Sequence, residues 1–178
     1  IFHFKCDLSK NEDIISLSKS MKDFNISALI NCAAILGPQG KFEINDFEEW
    51  KKTINVNLLG NALIIKELIP ILLKSKEPKI INFAGGGAAY SRPLHSAYAT
   101  SKTALVRLTE VLGDEYKNEI DINIIAPGIH NTKMVQEELF EEKPEHWADD
   151  NKLFGLISFL LSSKSNGVTG RFMHVEND

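Results

Sequence analysis

The chain has little of what marks several protein classes. It holds 2 cysteines in 178 residues. Cys6 and Cys32 form no C-x-x-C pair and stand beside no histidine set, so no disulfide framework or zinc pattern is present, and both read as small buried thiols. Positive charge is not in excess. Lys plus Arg number 20 against 24 for Asp plus Glu, a net charge of −4, which argues against a nucleic-acid surface, since that needs a basic face. No stretch approaches the roughly 20 consecutive apolar residues of a membrane span. The opening "IFHFKCDLSK" lacks the charged, apolar, small-residue order of a signal peptide. A cytoplasmic protein with no membrane partner is therefore expected. There is also no internal repeat and no low-complexity linker. What remains is a single domain, 1–178, with 43% hydrophobic residues, enough to bury a real core.

Short apolar runs alternate with longer amphipathic ones. Residues 1–6, 28–33, 79–84, 121–126 and 171–175 read as strands, and 11–24, 46–74, 96–118 and 150–163 as helices. This alternation predicts an α/β fold, a doubly wound parallel sheet of the Rossmann-like kind, with helices on both faces. In such sheets ligands lie outside the carboxyl ends of the strands. The segments found there are Asp7-Leu8, "AAILG" from 33, the glycine run 85–87 and Pro127-Gly128.

Near the start of the third helix, Tyr98 and Lys102 stand four residues apart. That spacing puts both side chains on one helical face, where the ammonium can act on the phenol. A phenol with a pKa near 10 is a poor base at neutral pH, and a nearby cation favours its ionised form. Asn57, in "NVNLLG", falls within reach of the same crevice.

Five segments in order, "DL" at 7, "NCAA" at 31, "VNLLG" at 56, Y-x-x-x-K at 98 and "PGIHNT" at 127, resemble the motifs of the short-chain dehydrogenase/reductases over essentially the whole chain. The resemblance implies an oxidoreductase that uses NAD or NADP on a small-molecule alcohol or carbonyl. In that reading Tyr98 is the general acid or base, Lys102 lowers its pKa and binds the nicotinamide ribose, and Asn57 helps hold a relay water. It further implies that Asp7 and Leu8 contact the adenine ring. Asn31, Ala33 and Ala34 line the adenosine side, and Pro127, Gly128, Ile129 and Thr132 hold the nicotinamide end. Simpler roles exist for some of these: a turn for Asp7, a sheet-stabilising hydrogen bond for Asn31, a plain turn for Pro127-Gly128. A silent nucleotide- or partner-binding relative, or an epimerase or dehydratase of the superfamily, is the alternative activity.

Two departures stand out. The family's catalytic serine position, thirteen residues before Tyr98, is Gly85. Gly85 and Gly86, with His95, become the candidate substrate contacts, the glycines through backbone N–H groups, and the glycine run reads as a subfamily trait. Ser91 and Ser96 are the nearby hydroxyls, and Ser96 should face elsewhere on the helix. The T-G-x-x-x-G-x-G turn that cradles pyrophosphate at a helix N-terminus is absent. With the family strand order, segment 1–6 is not adjacent to 28–33, and an N-terminally incomplete chain is expected. The helix at 58–73 is apolar around nearly its whole circumference. Together with the helix after Tyr98, it suggests the interface of a homo-oligomer, a dimer or tetramer. Residues 133–150 fall where the family carries its substrate lid, with Phe140 and Trp147 as pins or substrate contacts. His130 flanks the crevice.

Overall fold

The structure is a computed structural model and describes residues 1–139, 142 and 144–176. In chain order the elements are α1 (Asn11–Ser20), β1 (Ala28–Asn31), α2 (Phe47–Ile54), a π-helical turn (Asn55–Gly60), α3 (Asn61–Leu72), β2 (Lys79–Phe83), α4 (Ser96–Glu115), β3 (Asp121–Ala126), α5 (Lys133–Gln136), α6 (Asp150–Leu160) and β4 (Phe172–His174). The four strands form one parallel sheet in the order β1-β2-β3-β4. Successive strands run parallel because a helix returns the chain to the starting end each time.

Alternation within β2 and β3 sorts the core into two layers. Ile80, Ile122, Ile124 and Ala84 face α3 and α4, and pack with Ile64, Ile65, Leu72 and Leu105. Ile81, Phe83 and Ile125 face the other way and pack with Leu160 and Ile157 of α6. A sheet buried on both faces needs apolar residues at successive positions, and every residue of β2 is buried.

Residues 1–6 correct the expected fifth strand. They pair with no strand, and Ile1, Phe2 and Phe4 are exposed. Their anchoring is aromatic: Phe24 meets Phe2 and Phe4 edge-on, with ring centroids 5.3 and 6.0 Å apart. An extended segment becomes a strand only when a neighbouring edge takes its N–H and C=O groups, and no described strand lies beside it. The segment does not pair with β1. Cys32, expected to be buried, is exposed, and Cys6 is partly so, because each lies at a margin of the sheet rather than within it.

The helix expected over 46–74 is continuous from Phe47 to Leu72, 26 residues that include an 18-residue stretch with mean hydropathy 1.3. That is long and apolar enough to cross a membrane, unlike the expectation from runs of apolar residues. Its apolar side chains Ile64, Ile65, Leu68, Ile69 and Leu72 are buried against the sheet and α1, so the intramolecular core accounts for an apolar circumference that had suggested a subunit interface.

The carboxyl ends of β1 and β2 are tied by buried side chains. Asn31 Nδ2 donates to Asn82 Oδ1 at 2.9 Å. Asn82 Nδ2 donates to Thr109 Oγ1 at 2.9 Å, and Thr109 Oγ1 donates to Leu105 O at 2.8 Å. The ladder locks two strands to the helix bearing Tyr98. Asn82→Ala should cost about 2–4 kcal/mol in urea unfolding, through the orphaned Asn31 amide and the cavity left behind. A loss below about 0.5 kcal/mol, the range of an ordinary surface substitution, would show the ladder to be dispensable.

Candidate active site

The loops after β1, β2 and β3 meet at one end of the sheet. Gly40 N donates to Leu94 O at 2.8 Å, joining the first two. Gln39 brackets the segment after α5: its Nε2 donates to Glu137 O at 3.1 Å and its Oε1 accepts from Leu139 N at 2.8 Å. Beneath this junction lie the first two turns of α4 with Tyr98 and Lys102, both buried.

Lys102 Nζ donates to Phe83 O, the last residue of β2, at 2.7 Å, and lies 5.8 Å from the Tyr98 ring centroid. A second cation flanks the ring from the loop after β2, with Arg92 Cζ 5.6 Å from the centroid. The phenol rests on the glycine run. A Cβ at Gly85 would lie 2.2 Å from Tyr98 Oη, far inside van der Waals contact, so a side chain there displaces the tyrosine before it reaches any substrate. The nearby serines do not replace the missing hydroxyl. Ser96 Oγ accepts from Trp50 Nε1 at 3.1 Å, away from the phenol, and Ser91 is exposed.

Asn57 sits in the π-helical turn and is fully buried. Its Oδ1 accepts from Ile35 N at 2.8 Å, while Nδ2 donates to Ile35 O at 2.8 Å and Ser101 Oγ at 3.1 Å. Ser101 Oγ in turn donates to Tyr98 O at 2.7 Å. One amide thus fixes the loop after β1 against the start of α4, where Tyr98 lies. Asn61 Nδ2 donates to Val56 O and Asn57 O, both at 3.1 Å, satisfying carbonyls that the wider turn releases from the α-helical ladder.

Burial sets the proton affinities. The Tyr98 phenol is pushed up to about 12, mainly by desolvation, with Arg92 pulling it down and Glu138 pushing it further up. Desolvation lowers Lys102 to about 8, slightly opposed by Cys32. At neutral pH the tyrosine is therefore a neutral proton donor and most of the lysine is charged.

The other expected residues are spread along the same end of the sheet. Asp7 Oδ1 accepts from Ser9 N and Ser9 Oγ at 2.9 and 2.7 Å, a turn that leads into α1. Those hydrogen bonds hold its carboxyl below the ordinary range. Leu8 packs on the core layer of α1 and α3. Ala33 is exposed and Ala34 partly so. Past β3, His130 Nε2 lies 2.8 Å from Pro127 O, and its Nδ1 lies 2.8 Å from Asp150 Oδ1. Ile129 O accepts from Ala148 N, and Gly128 lies near Ala148 and Glu176. Thr132 Oγ1 caps α5 by accepting from Val135 N. Trp147 is exposed, and Phe140 lies outside the described residues. Arg92, Glu138, Gln39 and Ser101 were not singled out from sequence, where they resemble any polar loop or helix residue.

A family profile described as short chain dehydrogenase matches residues 1–143. The chain belongs to the short-chain dehydrogenase family. The short chain dehydrogenase tazN of Aspergillus terreus is 31% identical over 84% of this chain, which spans 34% of that protein. The 3-oxoacyl-[acyl-carrier-protein] reductase FabG of Staphylococcus epidermidis is 24% identical over 98% of the chain and 75% of its own length. Among solved structures, a short chain dehydrogenase of Escherichia coli complexed with NADPH superposes with TM-score 0.90 at 25% identity, covering 97% of this chain and 74% of that one. The chain thus spans about a third of the first of these relatives and three quarters of the second.

The short-chain dehydrogenase residues at this site fit one end of a nicotinamide cofactor. Lys102 offers a buried ammonium at the crevice floor, and among the described residues Tyr98 Oη makes no hydrogen bond, so it is available to a ribose or a substrate oxygen. The pyrophosphate cradle has no counterpart in these 178 residues.

The lowered lysine has a consequence for stability. Between pH about 8 and its ordinary 10.5, Lys102 is deprotonated in the fold and protonated when unfolded, so stability rises with pH there. The gain is of order 3 kcal/mol at 1.36 kcal/mol per pH unit. Above its ordinary 10.0, Tyr98 keeps in the fold a proton that the unfolded chain loses, which opposes the rise. Thermal unfolding should therefore show the native protein gaining stability from pH 8 to 10 relative to Lys102→Met. Parallel pH profiles of the two would refute the buried-ammonium picture.

Proposed function

We propose that the protein transfers a hydride between NAD or NADP and a small alcohol or carbonyl compound, with Tyr98 as the general acid or base. The observation that supports this reading most directly is the buried Tyr98–Lys102 pair, set at the carboxyl ends of the strands with its phenol facing the junction of three loops. NADPH has precedent in the Escherichia coli relative.

When bound, the cofactor supplies or accepts the hydride. The chain's own residues do the rest. Tyr98 Oη, protonated at neutral pH, delivers a proton to the oxygen of a carbonyl being reduced, and in the reverse direction it must lose that proton. Lys102 favours that loss and holds the ribose. Arg92 adds a second positive charge at the ring. Asn57 keeps Ser101 and the backbone at Tyr98 in place, which holds the phenol within a hydrogen bond of the reacting oxygen. Asp7, Leu8, Asn31, Ala33 and Ala34 border the adenosine side, with Pro127, Gly128, Ile129 and Thr132 at the nicotinamide end. Gly85, Gly86 and His95 border the substrate.

A silent nucleotide- or partner-binding relative is the second reading. Gly85 in place of the hydroxyl favours it. Tyr98→Phe separates the two. It removes the proton-transferring hydroxyl and keeps the ring, so in the intact protein kcat should fall about 10²- to 10⁴-fold with cofactor affinity nearly unchanged. Unchanged turnover would exclude the mechanism, and failure to bind NADH or NADPH would favour the silent relative.

We also propose a homo-oligomer built on the outer face of α4. An open groove of about 740 Å³ runs there, lined by Ala99, Thr103, Ala104 and Arg107, and Val111 is exposed on the same helix. Light scattering should find a dimer or tetramer that Ala104→Glu reduces to monomers. A monomeric native protein would end this proposal.

A further inference from the structure

A carboxylate already sits beside the catalytic tyrosine. Glu138, on the segment after α5, is almost wholly buried and pairs with Arg92, whose guanidinium lies over the Tyr98 ring. Its Oε1 also lies 3.1 Å from His95 Nε2. His95 is 1% exposed. Its Nδ1 faces Pro93 O at 2.9 Å, so Nδ1 carries a proton and Nε2 is the ring atom turned to the crevice. That Nε2 is buried and makes no aligned hydrogen bond to any described residue, although it lies within ion-pair distance of the Glu138 carboxylate. Arginine is suited to this place, because its planar fork matches a carboxylate in two parallel hydrogen bonds.

The segment that brings Glu138 is held by polar contacts. Leu139 is exposed, Gln39 grips the backbone at Glu137 and Leu139, and Glu137 N and Glu138 N donate to Lys133 O and Val135 O. Another carboxylate that reaches Arg92 and His95 can therefore take the place of the Glu138 carboxylate without uncovering a large apolar side chain of 137–139.

Resting on the oxidoreductase reading above, we propose that Arg92 and His95 form a carboxylate-recognising subsite, filled by Glu138 in the absence of substrate, and that the preferred substrate is an oxo or hydroxy acid. Its carboxylate takes the place of Glu138 while its carbonyl or hydroxyl oxygen meets Tyr98 Oη.

The test uses pyruvate, acetoacetate and levulinate, whose carbonyls stand progressively further from the carboxylate, each beside its methyl ester. Binding is measured by titration calorimetry on the intact protein, and turnover separately with NADPH and NADH. At least one acid should bind more tightly than its ester. Arg92→Gln should weaken that acid by about 10- to 100-fold, the range of one charged hydrogen-bonded contact, and weaken the ester far less. Arg92→Lys, which keeps the charge without the fork, should fall between. Glu138→Gln removes the internal competitor and should tighten acid binding several-fold, an effect that damage to the fold would not produce. Equal binding of every acid and ester, no binding of any probe, or Glu138→Gln leaving the acid unimproved overturns the proposal. Acid binding without turnover would keep the subsite and remove the oxidoreductase reading. Turnover of esters without preference for acids would do the reverse.

Discussion

The side-chain amide of Asn57 is the contact on which the geometry of this site depends. It lies fully buried in a π-helical turn, where its donors and acceptor are spent on Ile35 and Ser101. Asn57 joins the loop after β1 to α4 by pairing with the backbone of Ile35 on one side and donating to Ser101 on the other. A helix of regular pitch keeps its carbonyls engaged within itself. The wider turn releases some, and Asn61 takes up those of Val56 and Asn57. The loop that lines the crevice is therefore held by amides as well as by the buried side chain of Leu36.

The same burial that orders the site shapes its chemistry. Removing water raises the proton affinity of Tyr98 and lowers that of Lys102, since in both cases the charged form loses hydration. Arg92 and Glu138 act on the phenol in opposite directions, and they come from loops after different strands. The charge next to the Tyr98 hydroxyl is thus set jointly by the loop after β2 and the segment after α5. Gly85 belongs to the same arrangement: without a Cβ it leaves room for the phenol, which a side chain at that position would displace.

Much of the architecture was legible in the residues themselves. Runs such as "KIINF" and "DINIIA" are apolar at successive positions, which a sheet covered on both faces demands, and the spacing of Tyr98 and Lys102 puts them on one face of any helix. Motif order added the family. Residues 1–6 show where that reasoning stops: apolar alternation marks a segment able to pair, while pairing needs a partner edge. The apolar circumference of α3 was equally ambiguous. A helix wedged between a sheet and other helices of its own chain has the same composition as one at a subunit interface.

By itself the sequence determined the alternation of elements, the parallel sheet and the tyrosine–lysine register, because these follow from local periodicity and from spacing within one helix. Only the tertiary structure decided that Asn57 clamps a loop to Ser101, that Gly85 lies against the Tyr98 hydroxyl, and that Arg92, His95 and Glu138 meet above it. Arg92 and Glu138 are 46 residues apart in the chain, and no local pattern sets a separation of that kind. Their meeting is fixed by the sheet, which brings the ends of β2 and β3 side by side.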